Sequence, residues 1–543
     1  MAARYRSLAH AGLSLLSFRP PTRALAFPPR SPCFSFNIPR NMSIKTVSSL
    51  TVAGTRVPTG LYIDGQWVKG SGEPLDTVNP ATEEVIGQFD TATTEDVNLA
   101  VAAARRAFEN TWGTNVSAQE RGRLVYRLAD LLEANKERIA HVESLDSGKP
   151  RAWCEVDIED GAACLRYFAG AADKIHGSVI ELDDRTKYAT ARKEPIGVAA
   201  LIVPWNYPTL MMVWKVAPAL AAGCSIIFKP AENTPLATLL FAELVEEAGF
   251  PKGVFNVVNG LGATTGDAIS RHMDIDKISF TGSTATGRRI AMAAAQSNLK
   301  KVTLELGGKS ANIIFKDANL PEAVKWAAFG VYENMGQSCS AGSRILVHED
   351  IYDEFCKLFV KAAQAIKVGD PLDKDTFQGA QVSKVQFDKI LEYIESGKRE
   401  GARLLTGGSR HGSKGYFIQP TVFADVDMSM RIAKEEIFGP VASILKFKTE
   451  EEAIEVANGT DYGLAGAVHS QNITTVNRVV RRLKAGTVWV NQYVMLSHQV
   501  PFGGYKQSGW GRDLGLEALE GYLQTKSVHY SYDDEPFGWP IKL

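Results

Sequence analysis

One cysteine of six stands apart by its surroundings. Cys339 lies in GQSCSAGSR (336–344), between two serines, with Gly336 before it and Arg344 after it. No histidine lies within the nine residues before it or the eight after it, so no neighbouring imidazole in the chain can take its proton. Free thiols are usually buried and inert, which is the reading for the cysteines at 33, 154, 164, 224 and 356. A thiol at the first turn of a helix is acidified by the free N–H groups there. The small polar flanks therefore predict a helix start at Cys339 and a nucleophile.

Other segments supply what a nucleophile needs. In TLELGGKS (303–310), Glu305 sits between two leucines. A carboxyl in apolar surroundings holds its proton more tightly, as a general base working near neutrality requires. The competing reading is a pairing glutamate on a strand edge. In VPWNYP (203–208), prolines stiffen both sides of Asn206, and a fixed side-chain amide suits an oxyanion hole. An ordinary turn would explain it too. In FKPAENTP (228–235), Lys229 and Glu232 can donate to and accept from a ribose diol, or form a solvated pair. GLGATTG (260–266) and FTGSTATG (280–287) are small-residue turns that let backbone amides approach a pyrophosphate. Alone they are weak signals, since neither has the usual GxGxxG spacing.

The elements that must position these groups read as α/β. YIDGQWV (62–68) is a hairpin about Asp64-Gly65. Residues 124–143 carry an apolar stripe at helical spacing. GVAALIV (197–203) and SIIF (225–228) lack polar alternation, as strands covered on both faces do. LATLLFAELVEEAGF is a helix stopped at Gly249. ANIIF and RILV repeat the strand theme, and doubly wound sheets follow.

Composition excludes several classes. The 60 basic and 61 acidic residues balance, so no general attraction to nucleic acid or an anionic membrane exists. No uncharged apolar run reaches the roughly 18 residues of a membrane span, and LMMVWKVAPALAAGCSIIF is broken by Lys215 and Pro218. No CxxC pair or Cys/His cluster points to a metal or a disulfide framework. The first acidic residue is Asp64, and seven arginines and many serines precede it. That composition predicts a mitochondrial transit peptide over 1–45, with Met42 as an alternative start for a cytosolic form.

LELGGKS followed about thirty residues later by GQSCSAGSR resembles the aldehyde dehydrogenase superfamily. VPWNYP, KPAE, FTGST, KEEIFGP (434–440), AGTVWVN (485–491) and PFGGYKQSG (501–509) extend the resemblance from about 60 to about 532. The likeness is strongest to mitochondrial and cytosolic NAD-dependent members. It implies a Rossmann-like NAD domain, a catalytic α/β domain and a β-arm for oligomerisation. The implied boundaries are 46–177 and 197–307 for the NAD domain, 178–196 for the arm and 308–508 for the catalytic domain. Residues 509–543 would return to the NAD domain and supply a last arm strand.

The resemblance also implies roles. Cys339 matches the nucleophile, Glu305 the base that activates water, and Asn206 the oxyanion donor beside the backbone N–H of Cys339. Lys229 and Glu232 match ribose contacts, with Glu232 favouring NAD over NADP. Trp205, Ser283, Gly262 and Gly266 match adenosine and pyrophosphate contacts, and Glu436 and Phe438 the nicotinamide end. Ile202, Val203, Pro204, Phe280 and Leu306 complete the cofactor set. Tyr207, Met211, Trp214 and Phe502 resemble a pocket for a small aliphatic aldehyde or an aromatic one, phenyl or indole. A homodimer or homotetramer is implied, with no metal.

Two positions depart from the family pattern. Asp513 stands where a glutamate is common, so a proton relay from Glu305 would need a water. Glu333 stands six residues before the cysteine, where an aromatic is common. In the substrate tunnel it would attract cationic aldehydes such as aminoaldehydes or betaine aldehyde; pointing away, it would pair with a lysine. Rival readings are a CoA-acylating dehydrogenase, a thiol esterase and a non-catalytic binding protein. Glu305 opposes the first, and the joint presence of Cys339 and Glu305 opposes the last.

Overall fold

The computed structural model describes residues 48–533. The expected leader with Met42 and Cys33, and the last ten residues, lie outside that range.

The chain builds two large sheets whose runs of buried β-formers have helices over both faces. The first has eight strands, in the order Gly509–Trp510, Lys301–Glu305, Lys277–Thr281, Val198–Ile202, Ser225–Lys229, Phe255–Val257, Leu61–Ile63, Gln66–Val68. The five from Lys301–Glu305 to Phe255–Val257 run parallel. Strand order reverses between Val198–Ile202 and Lys277–Thr281, the crevice where doubly wound sheets bind ligands. The expected hairpin closes one edge, with Asp64 and Gly65 at φ 55° and 69°, as a two-residue turn of this hand requires.

The second sheet has seven strands, in the order Arg403–Thr406, Thr421–Ala424, Val441–Phe447, Arg344–His348, Ala311–Ile314, Ala465–His469, Thr487–Val490. All neighbours but the first pair are parallel. A separate antiparallel sheet joins Ser178–Glu181, Lys187–Pro195 and Leu523–Ser531, with Tyr188 stacked on Tyr530 at 4.7 Å.

One expectation needs correction. The stripe at 124–143 is not one helix: Ala118–Ala134 and Lys136–Ser147 meet at Asn135, whose φ of −99° and ψ of 11° break the ladder. The apolar run at 210–228 is the buried helix Pro208–Ala222, packed all round, followed by the strand Ser225–Lys229. Among the described residues no helix is long and apolar enough to cross a membrane.

Candidate active site

Cys339 does not start a helix. The helix Leu320–Tyr332 ends, and Asn334, Met335 and Gly336 then take φ of 48°, 58° and 71°. Three successive left-handed residues turn the chain back, so Cys339 lies in a tight turn before the strand Arg344–His348. The turn is crowded on one side: a Cβ at Gly308 would overlap the carbonyl oxygen of Cys339, and one at Gly307 the Glu436 carboxylate. The glycine pair of LELGGKS therefore lets two loops touch. Gly308 N–H donates to Glu436 Oε1 at 2.9 Å.

Asn206 leaves the end of Val198–Ile202 and meets the cysteine loop. Its Nδ2 donates to the Gln337 carbonyl at 2.8 Å. Asn334 Nδ2 donates to the Asn206 carbonyl at 2.8 Å and to the Gln337 carbonyl at 3.2 Å. Glu305 ends its strand opposite Gly509 and is 3 % exposed. Neither of its carboxyl oxygens has a hydrogen-bond partner among the described residues. Burial pushes its pKa well up and Asp513 adds to that, while Lys215 and Arg512 oppose it. Lys215, inside the apolar helix, donates to Asp513 at 2.8 Å and to Ser279 at 3.1 Å. Asp513 is thus tied to Lys215 and makes no direct bond to Glu305. Burial likewise raises the Cys339 thiol, with Glu436 and Glu305 adding and its own and Ser340's backbone N–H groups opposing.

Cys339, Glu305 and Asn206 line one cavity of about 610 Å³, a size that holds a small organic ligand. Pro204, Trp205, Ser283, Leu306, Glu436 and Phe438 line it as well, and so do Tyr207, Met211, Trp214, Glu333 and Phe502. Trp205 meets Phe438 edge to face at 5.3 Å, and Trp214 meets Phe502 at 5.5 Å. The remaining cofactor candidates lie apart. The side chains of Ile202, Val203 and Phe280 are buried in the core, so they offer a ligand little but backbone. Lys229, Glu232, Gly262 and Gly266 are not in the cavity wall. Lys229 Nζ is buried, bonds the Pro230 carbonyl at 2.9 Å and lies 3.6 Å from the partly exposed Glu232 carboxylate. A Cβ at Gly262 would meet nothing, so that turn is open to an approaching group. Ser283 caps the thirteen-residue helix Thr284–Gln296 by accepting from Thr286 N–H, which aims that helix's free amides at the crevice.

Several wall residues were not anticipated. Trp153 and Asp157, with Val156 and Asp160, come from the helix Arg151–Ala171, and Phe329 from Leu320–Tyr332. The spacing 153, 156, 157, 160 is one helix face and was legible in principle. Glu333 lies in the cavity wall, as the tunnel reading expects, and among the described residues no lysine forms an ion pair with it, Lys149 being paired with Asp157. Glu333 accepts from Tyr207 Oη at 2.6 Å and feels Lys149, whose Nζ lies 3.8 Å from the Tyr207 ring centre.

The aldehyde dehydrogenase family profile matches residues 67–528. The chain belongs to the aldehyde dehydrogenase family. An aldehyde dehydrogenase of Emericella nidulans is 56 % identical over 481 residues, covering 88 % of this chain and 96 % of the relative. Aldehyde dehydrogenase family 2 member C4 of Arabidopsis thaliana is 50 % identical over 481 residues, covering 88 % and 96 %. Among solved structures, a Staphylococcus aureus betaine aldehyde dehydrogenase mutant in complex with NAD+ superposes with a TM-score of 0.87 at 44 % identity, covering 90 % of this chain and all of that one. A Bacillus cereus aldehyde dehydrogenase mutant gives 0.86 at 48 % identity, covering 88 % and 97 %. As a member of this family the protein is an NAD(P)-dependent aldehyde-oxidising enzyme, and its mixed α/β sheets are those of the aldehyde dehydrogenase fold.

Proposed function

We propose that the protein oxidises an aldehyde to a carboxylate with NAD, using Cys339 as nucleophile, Asn206 as oxyanion donor and Glu305 as the base for water. The observation that carries this is the convergence of those three side chains on one cavity. The Cys339 thiolate adds to the carbonyl carbon, and the new alkoxide is met by the Asn206 amide and the Cys339 backbone N–H. Bound NAD would accept the hydride. Loss of hydride leaves an acyl thioester on Cys339. Neither carboxyl oxygen of Glu305 has a hydrogen-bond partner among the described residues, so it is free to take a proton from a water. That water adds to the thioester, and the thiolate leaves as the acid forms.

The residues present suit the dinucleotide. The Lys229–Glu232 pair fits a ribose diol, and Glu232 would repel a 2′-phosphate. The Ser283-capped helix fits a pyrophosphate, and Trp205, Phe438 and Glu436 flank the end next to Cys339. The pocket beyond Cys339 is aromatic and suits a small aliphatic or an aromatic aldehyde. A second reading, an aminoaldehyde or betaine aldehyde substrate, is favoured by the carboxylates of Asp157, Asp160 and Glu333 in the wall and by the named activity of the Staphylococcus aureus structure. The exposed strand Ser178–Glu181, with Val179 and Ile180 in water, supports self-association through the arm. The test is NADH formation with NAD and a panel of acetaldehyde, a long-chain aldehyde, phenyl- and indole-acetaldehyde and an aminoaldehyde. Turnover on none, with NAD bound, would overturn the assignment.

A further inference from the structure

Behind the cavity wall lies a buried polar cluster that the oxidation itself does not use. Lys149, 1 % exposed, pairs with Asp157 and stands over the Tyr207 ring. Tyr207 Oη donates to Glu333 Oε2 at 2.6 Å. Among the described residues that is the one hydrogen bond the Glu333 carboxylate accepts, and Glu333 lines the cavity at 8 % exposure. One oxygen is therefore held from behind, and the other is left to whatever fills the pocket. The same cavity wall carries the rings of Trp153, Trp214, Phe329 and Phe502, which suit a planar body.

The cluster already holds a cation: Lys149 pairs with Asp157 and also acts on Glu333. Burial of this group of acids favours their neutral forms: Asp157 is pushed up to about 7 and Glu333 upward, with Lys149 opposing both. A second cation beside Lys149 would be desolvated next to a like charge. A neutral donor carries no such cost, and it can pair with the carboxylate oxygen that opens on the cavity.

We propose that Glu333 reads a neutral hydrogen-bond donor, a ring hydroxyl or an indole N–H, on an aromatic aldehyde. The inference rests on the reading of the cavity as the aldehyde site. The substrate class is then hydroxylated aryl or indolyl aldehydes, with the permanently cationic ones disfavoured.

The test compares kcat/KM of the full-length enzyme on 4-hydroxyphenylacetaldehyde, its isosteric 4-methyl analogue and betaine aldehyde, which has charge and no donor. The hydroxyl compound is expected to exceed the methyl compound on the order of tenfold to a hundredfold, with betaine aldehyde last. Glu333→Met should bring the hydroxyl-to-methyl ratio near one. Glu333→Gln, a smaller change of shape, should lower it as well, because either face of an amide serves a phenol less well than a carboxylate does. A wild-type ratio near one, betaine aldehyde ranking first, or a ratio that survives both substitutions would each overturn the inference while leaving the aldehyde-oxidising reading intact. No NADH from any aldehyde would remove that reading and the inference together.

Discussion

Asn334 holds Asn206 in place: its side-chain amide donates to the Asn206 carbonyl, and both amides converge on the carbonyl of Gln337. Two loops from different sheets are thereby pinned within two residues of Cys339. Asn334 also sits at φ 48°, which asparagine tolerates better than most residues.

That geometry separates two roles of one residue. Asn334→Gly keeps the left-handed turn and removes the donor, and Asn334→Asp keeps the shape and removes the donor. Both should lower kcat by roughly ten- to a hundredfold with little change in KM for NAD. A kcat within twofold of wild type in both would show that the turn alone matters.

Glu305→Gln should separate acylation from hydrolysis. The first turnover still forms a thioester, so rapid mixing should record a burst of about one NADH per subunit and then a steady state slower by a factor on the order of a hundred or more. A simple linear time course at near wild-type rate would remove Glu305 from the water step. Cys339→Ala should give neither phase.

Lys215 and Asp513 are 0 % and 4 % exposed at their side chains and 2.8 Å apart. Lys215→Met strands a buried carboxylate and should cost about 3–5 kcal/mol in urea denaturation, whereas Lys215→Met with Asp513→Leu should recover most of it. Additive losses would mean that the two act independently.

Gly308→Ala places a methyl group on the Cys339 carbonyl, so activity should collapse, by a hundredfold or more by order of magnitude, while far-UV circular dichroism is unchanged. Gly170→Ala, on the helix Arg151–Ala171 and outside the cavity wall, is the control, because a Cβ there meets nothing. It should leave acetaldehyde turnover with saturating NAD within about threefold. Equal behaviour of the two variants would contradict the packing described for the glycine pair.

Glu436 predicts a pH effect on stability. Burial raises its carboxyl from 4.5 to about 7, with the Gly308 N–H opposing. A folded-state value above the unfolded one means the contribution is complete below pH 4.5 and is lost as pH rises through about 7. Glu436→Gln should flatten the fall of unfolding free energy across that window by about 1–2 kcal/mol, allowing for its partial exposure. Parallel pH profiles for wild type and variant would reject the shift.

The strands were legible because unbroken buried runs such as Ser225–Lys229 have few other uses, and the hairpin because Asp64-Gly65 carries its own turn chemistry. The convergence of Cys339, Glu305 and Asn206 was legible only through long motifs in order, since no local rule ties 206 to 339. What local patterns missed was set by distant contacts. Lys215 reads as a flaw in an apolar run until Asp513, 298 residues away, is folded beside it. The helix start expected at Cys339 failed because three left-handed residues reverse the chain just before it, which small polar flanks do not announce. Trp153 and Asp157 had the spacing of a wall face but no chemistry of their own to draw notice.

The nucleophile loop leads into the seven-stranded sheet, whereas Glu305 and Asn206 stand at strand ends of the eight-stranded one, and Gly509–Trp510 must come back to pair beside Glu305. Turnover is therefore a report on late assembly. In a refolding experiment helical signal should return before NADH-forming activity, since neither sheet alone holds a working site and the strand that braces the base is distant from it in sequence.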